Sequence, residues 1–348
     1  MTTSSSTTAP VTTSATSSRF PMTLVLGLIA VALLLAAPFA VYPVFLMKVM
    51  CFALFACAFN LMLGYTGLLS FGHAMFFGGS AYISAHAIKV LGFTPELGIL
   101  AGVLFSTVLS FLVGLLAVRR QGIYFAMVTL ALAQMFFFFC LQAKFTGGED
   151  GLQAVPRRAL LGFIDITKDI HLYYFVLAIF LFGFLVIYRT IHSPFGQVLK
   201  AIRENEPRAI SLGYRVNQYK LLAFVLSAAL AGLAGSTKVL VFQLASLTDV
   251  AWQMSGEVIL MTLVGGMGTI LGPVVGAAVI VTMQNYLAGL GEWVLVIQGV
   301  IFVVAVSLFR RGIAGEIVAI GRHYNAKKNT RMKQCRSPGR TLRVRDRR

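Results

Sequence analysis

Apolar residues fill long stretches of this chain at every position, without the alternation of a half-buried strand. Residues 22–41, 97–118, 172–188 and 293–309 hold no Lys, Arg, Asp or Glu. Each run is close to the ~20 residues with which an α-helix crosses ~30 Å of hydrocarbon. Continuous runs predict membrane helices, where the strands of an outer-membrane barrel would alternate. Gly, Pro and charged clusters punctuate them at Pro43, Gly64 to Gly72, Gly92 to Glu96 and Arg119 to Gly122. The resulting spans are 22–41, 45–64, 73–90, 97–118, 123–142, 172–188, 219–241, 255–270, 272–288 and 293–309. Residues 254–289 are crowded, since two full crossings need more chain than this, so short, tilted or re-entrant half-helices are expected there. The expected fold is all-α, a polytopic transmembrane bundle of about ten spans (eight to ten).

Composition points the same way. Of 348 residues 58% are hydrophobic and 12% charged, against about a quarter charged in soluble domains, so lipid must cover the surface. Thirteen of the 29 Lys and Arg lie in 310–348 and six between Arg189 and Lys220. A soluble protein with this balance would suggest nucleic acid; in a membrane protein, basic residues collect on the cytoplasmic side and set topology, and no nucleic-acid partner is expected. With the N-terminus inside, Arg19, Arg119, Arg120, the 189–218 segment with Lys220 just beyond it, and the tail all fall on the cytoplasmic side, 22 of the 29 basic residues. Both termini are therefore expected in the cytoplasm. The division expected is a disordered Ser/Thr-rich extension over 1–18, a transmembrane domain over 19–312 and a basic cytoplasmic tail over 313–348 that fixes topology or meets anionic lipid headgroups. The apolar run after Arg19 reads as a retained first helix, not a cleaved leader. Cys51, Cys57, Cys140 and Cys335 form neither a CxxC nor a Cys/His cluster, so no metal and no cofactor is expected.

Two breaks stand out. Gly64-Tyr-Thr-Gly-Leu-Leu-Ser-Phe-Gly-His73 and Gly265-Gly-Met-Gly-Thr-Ile-Leu-Gly-Pro273 both interrupt apolar sequence. Unwound backbone at membrane depth survives only where protein buries it or where it lines a polar cavity. Such breaks either line a transport path or let helices approach closely. The predicted topology turns both toward the same face. Path candidates are Asn60, Gly64, Tyr65, Gly67, Ser70, Gly72, His73, Thr129, Glu257, Gly265, Gly266 and Gly268. Glu257 is the most pointed of these, as a carboxylate able to meet an ammonium, or as a favourable charge at a helix start. His73 reads first as a packed, neutral histidine, and Lys238 as a span-end lysine able to snorkel.

The 189–218 segment differs in kind. Ser193-Pro194 predicts a short amphipathic helix with Phe195, Val198, Leu199 and Ile202 at helical spacing. Pro207 opens a second helix carrying Ala209, Ile210 and Leu212, and Gly213 ends it. Such helices dock a partner or lie on the bilayer surface.

This segment, Ser193-Pro-Phe-Gly-Gln-Val-Leu-Lys-Ala-Ile-Arg-Glu-Asn-Glu206 with Ala209 to Gly213 and Tyr219 to Phe224, resembles the coupling segment of branched-chain amino-acid ABC transporter permeases of the LivM type. Four further stretches fit in family order: Asn60 to Ala74, Gly122 to Ala131, Thr146 to Leu152 and Gly256 to Gly276. The resemblance spans about residues 20–310 and implies a bacterial inner-membrane permease subunit. It implies as partners a second permease subunit, two cytoplasmic ABC ATPase subunits and an external substrate-binding protein delivering leucine, isoleucine or valine. Arg203, Glu204, Glu206, Ala209 and Gly213 match the coupling region, while Pro207 departs from the family pattern and bears on the first turn. No GxxxxGK[ST] loop occurs, so an ATP-powered engine must be a separate polypeptide and the chain is expected to be no enzyme. The rivals are a permease for urea or short amides and an ATP-independent secondary transporter.

Overall fold

The computed structural model describes residues 31–39, 41–120, 122–158, 168–290, 293–308 and 312. The greater part of the 22–41 span, the 1–18 extension and the 313–348 tail lie outside the described residues. Among the described residues the named elements are helices, joined by loops that make one isolated bridge, Leu152 to Ala245. They are α1 (Pro43–Thr66), α2 (His73–Lys89), α3 (Pro95–Ala117), α4 (Ile123–Gln142), α5 (Asp169–His192), α6 (Pro194–Glu204), α7 (Glu206–Ser211), α8 (Val216–Phe242), α9 (Trp252–Gly265), α10 (Gly272–Leu287) and α11 (Trp293–Leu308). The all-α polytopic bundle expected from the sequence is the fold observed.

The ends of these helices follow from their residues. Proline occupies the first turn of α1, α3, α6, α7 and α10, where a missing N–H forfeits nothing. Glu96 in α3 and Asp169 in α5 add negative charge to first turns, and Arg189 and His192 add positive charge to the last turn of α5. Helices α1, α3, α4, α5 and α8 are long and apolar enough to cross a membrane. In contrast, α9 and α10 have 14 and 16 residues, so each rises only about 21–24 Å. The crowded 254–289 region is thus a hairpin of short helices.

Helices α1 and α8 form the middle of the bundle. Every residue of α1 from Met50 to Met62 is buried, so this helix is apolar all round because it is surrounded all round. Helix α8 packs on α1, α2 and α3, while the other side of α1 receives α5, α9 and α10. Helix α4 is peripheral, burying Phe125, Thr129, Ala133 and Cys140 along one stripe and exposing Tyr124, Met127 and Phe138.

The connections gather at two ends. At one end, the 143–158 loop is laced to its neighbours: Leu152 exchanges backbone hydrogen bonds with Ala245 at 3.0 and 2.9 Å. There Lys89 donates to the Gln153 carbonyl, Arg158 to the Gly92 carbonyl, and Arg157 to the Val241 carbonyl and to Asp169, each at 2.8 Å. At the opposite end Arg203 of the 193–215 segment meets both glycine-rich breaks, at Gly64 and at Gly268.

Lys238 corrects its sequence reading. It does not snorkel outward; it pairs with the buried Asp249 and lies 5.7–5.9 Å from the ring centres of Phe52, Phe77 and Phe242. The turn after α8 folds Asp249 back over the helix end, and a charge held among rings requires such a partner.

In the α9–α10 hairpin, Gly276 lies against the Met261 carbonyl and Gly265 against that of Gly272, an antiparallel register that leaves no room for a Cβ on either glycine. Gly276→Val is expected to force the pair apart and destabilise the bundle by about 1–3 kcal/mol. Gly289→Val, at a position with open space around it, is expected to be near neutral. Thermal unfolding of both variants in detergent checks the contrast.

Candidate functional site

The 193–215 segment is built as a rigid seat. Ser193 caps α6 by accepting from the Gly196 amide at 3.3 Å, and Asn205 caps α7 by accepting from the Arg208 amide at 3.1 Å. Pro207 therefore sits in a first turn that it suits, and the departure noted in the sequence leaves the turn intact. After α7 the Tyr214 amide donates to Ala209 and the Gly213 amide to Ile210, a Schellman closure with Gly213 at φ 87°. Ile202, Ala209 and Val216 form a small core beneath the segment, joined by Val198 and Tyr219. Lys220, only 3% exposed, is neutralised by Glu206 at 2.7 Å. Of the residues read as partner-facing, Glu206 and Ala209 thus turn inward, and Glu204 remains exposed. Ile210 and Leu212, carried by the helix that Pro207 opens, are 57% and 68% exposed, while Ala209 takes the inner position.

The first break is a short unwound link. Helix α1 runs two residues past Gly64, its Thr66 hydroxyl bonding the Met62 carbonyl at 2.5 Å, and gives way at Gly67 with φ 75°. Amides at and before the start of α2 lack helical partners, and hydroxyls supply them. Thr129 of α4 accepts from Phe71 at 3.3 Å, Ser70 from Gly72 at 3.2 Å, and Ser255 of α9 from Ala74 at 2.9 Å. His73 is fully buried, its Nε2 2.9 Å from the Ser227 hydroxyl, which itself donates to the Ala58 carbonyl. Phe59, Phe76 and Phe224 stand edge-on around its ring. The packed-histidine reading describes this geometry.

The second break closes on α1. Asn60, 2% exposed, donates from Nδ2 to the Thr269 carbonyl at 2.8 Å and accepts at Oδ1 from the Gly268 amide at 3.0 Å. One amide side chain thereby satisfies both backbone polarities of the turn. One helical turn further on, the Gly64 carbonyl accepts from Arg203 Nη1. A Cβ on Gly64 would collide with Asn60 and come within 2.7 Å of the Gly268 amide, so only glycine allows this approach. Lys200 lies 5.7 Å from the centre of the Tyr65 ring, adding a second contact between α6 and the end of α1.

Asn60, Gly64, Tyr65, Gly67 and Gly268 are thus brought together with Arg203, Gly266 lies within the turn that Thr269 and Gly272 close, and Ser70, Gly72, His73 and Thr129 line the far side of the first break. Gly265 belongs to the hairpin contact described above. Glu257 stands apart, half-buried on α9, hydrogen-bonded to Gln284 and within electrostatic reach of Lys48. Sequence reasoning passed over Ser227, Ser255, Thr269 and Lys220. Hydroxyls are ordinary in apolar helices, so only the fold reveals their partners.

This architecture defines a polytopic helical membrane protein with broken helices held together at one end. The chain belongs to the family of permease components of branched-chain amino acid transport systems, whose family model matches residues 42–306. The high-affinity branched-chain amino acid transport system permease proteins LivM of Salmonella typhimurium and Escherichia coli are each 28% identical to it over 275 residues, covering 72% of this chain. The match spans 64% of the length of those relatives, somewhat under two thirds. The ribose import permease protein RbsC of Bacillus subtilis is 31% identical over 140 residues, 37% of this chain and 43% of that protein. No solved structure matches the chain.

Asn60→Leu is expected to leave the Gly268 amide and the Thr269 carbonyl unpaired, at about 1–3 kcal/mol for each orphaned group. A lowered unfolding midpoint in detergent, together with faster amide exchange confined to 266–271, would report it.

Proposed function

We propose that this chain is the membrane-spanning permease subunit of an ATP-driven importer in the bacterial inner membrane, forming part of the translocation path for branched-chain amino acids. The observation that carries the reading is the family match over residues 42–306, within which the 193–215 segment forms a preformed seat beside both helix breaks. A second permease subunit completes the path, two ATPase subunits supply the power and an external binding protein delivers leucine, isoleucine or valine. The names of the LivM relatives support the substrate class. The likeness to a ribose permease over 140 residues indicates that this portion of the scaffold serves transport without fixing the cargo.

Both termini and the 193–215 segment lie in the cytoplasm on this reading, supported by the collection of basic residues in those regions. The docking face for the ATPases is the outer side of α6 and α7, where exposed Ile210 and Leu212 stand among Glu204 and Arg208. Apolar anchors ringed by charge suit a partner groove. The two breaks and Thr129 border the path. Glu257 joins them as a half-buried carboxylate on an apolar helix, where a charge is expensive and is retained next to polar partners.

Reconstitution with the second permease, the ATPases and the binding protein from the same operon tests the whole reading. ATP-dependent uptake of leucine into proteoliposomes is the expected result, with none when the ATPases are omitted. Uptake of urea or short amides in place of leucine would transfer the assignment to that substrate class, and uptake without ATP would replace it with a secondary transporter. At the docking face, Ile210→Asp with Leu212→Asp is expected to reduce co-purification of the ATPases about tenfold or more. The thermal unfolding of the bundle should stay unchanged, since neither side chain belongs to its core.

A further inference from the structure

Arg203 matches the family's coupling region, and its guanidinium reaches back to the chain's own first break. Gly196 and Leu199 lie on the buried face of α6, and Arg203 follows them at helical spacing, on the edge of that face. Glu204, about 100° further round the helix, stays outside. The arginine side chain reaches the last turn of α1, where the Gly64 carbonyl is one of the acceptors left without a helical partner because the helix stops at Thr66. Its shaft passes Gly67, whose Cβ position would lie 3.2 Å from Arg203 Cγ, and its Nη1 lies 3.2 Å from where a Cβ on Gly268 would stand. A single side chain of α6 therefore fills the space between the two breaks. Asn60 fastens the same two breaks together from beneath, one turn of α1 away.

We propose that Arg203 is a positioning residue that ties the seat of α6 to both glycine-rich breaks, so that displacement of the docking segment reaches the breaks through its guanidinium. This deepens the reading of the 193–215 segment as the ATPase-docking element and rests on it. The planar, five-donor guanidinium fits the role because it can hold one carbonyl while packing edge-on against glycine backbone. A lysine ammonium in its place can still reach the Gly64 carbonyl but leaves the Gly268 side empty. If α6 moves, the two breaks follow as a unit or the contact parts. In either case the breaks experience the state of the docking segment.

The experiment uses the full reconstituted complex with Arg203→Ala and Arg203→Lys. For Arg203→Ala, the ATPases should co-purify as with the wild type and ATP hydrolysis should continue. Leucine uptake should fall about tenfold, and hydrolysis should cease to respond to the loaded binding protein. Arg203→Lys should recover part of the uptake. Loss of ATPase co-purification in Arg203→Ala would make the residue a docking contact, and wild-type uptake would make it idle; either overturns the proposal. Amide exchange of the full chain in detergent supplies a readout that needs no partner. Exchange should quicken at both 64–70 and 266–270 in Arg203→Ala, and chiefly at 266–270 in Arg203→Lys, while 143–158 stays unchanged. Exchange at both breaks equal to wild type overturns the strut, whether or not the complex transports. A wild-type complex that neither binds ATPases nor imports an amino acid would instead bring down the functional reading.

Discussion

A backbone amide or carbonyl inside a membrane bundle has no water to turn to, and every interruption of a helix must be satisfied by another part of the protein. The rest of this structure is arranged around that constraint. Hydroxyls and amides from four elements converge on the two breaks: Asn60 from α1, Thr129 from α4, Ser255 from α9 and Ser70 from the break itself. The breaks can exist only where those side chains reach, which is why α1 lies in the middle of the bundle. One face of α1 must present Asn60 to the 266–271 turn, while α5 and α8 pack on its remaining faces. Glycine then allows the chains to come within contact of one another, so that one asparagine serves both polarities of the turn.

The same accounting governs the 193–215 segment. Two side-chain caps, each worth about 0.5–2 kcal/mol in typical helices, fix where α6 and α7 begin. The Schellman closure at Gly213 fixes where α7 ends, and the Glu206–Lys220 pair locks the segment onto α8. Removing one partner of a buried pair commonly costs about 3–5 kcal/mol, since the other charge is left stranded. The segment is therefore a body with its internal angles already set.

Much of this was legible in the sequence, and the parts that were not have physical reasons. Continuous apolar runs located α3, α4, α10 and α11 closely, since lipid and protein interior impose the same demand on a helix. The ends of α1 and α5 ran further than hydropathy suggested. Thr66 continues a helix by bonding its own preceding turn, and Arg189 and His192 are welcome at a helix C-terminus. The glycine-rich breaks were visible as breaks, but their pairing was not: the contact from Asn60 to Gly268 spans 208 positions, and nothing local announces it. Spacing grouped Ala209, Ile210 and Leu212 on one short helix without saying which of them meets the protein: Ala209 is buried and the other two are exposed. Lys238 misled for a related reason: its partner Asp249 arrives from a turn whose path composition does not encode.

The two ends of the bundle differ in how easily their contacts can be exchanged. At the laced end, Lys238 and Asp249 are sealed among aromatic rings, and Arg157 grips two carbonyls of α8 and a carboxylate at once. Parting these would strand charge in an apolar setting, so that end resists rearrangement. The junction end holds its breaks with neutral amide contacts and with an arginine on the exposed side of α6, whose hydrogen bond water can replace at a net loss of about 0.5–1.5 kcal/mol, or somewhat more for a charged donor. A bundle built this way has a stiff end and a yielding one. The yielding end is where the 193–215 segment meets the breaks, while the lacing of the 143–158 loop keeps the far ends of α2, α5 and α8 in register.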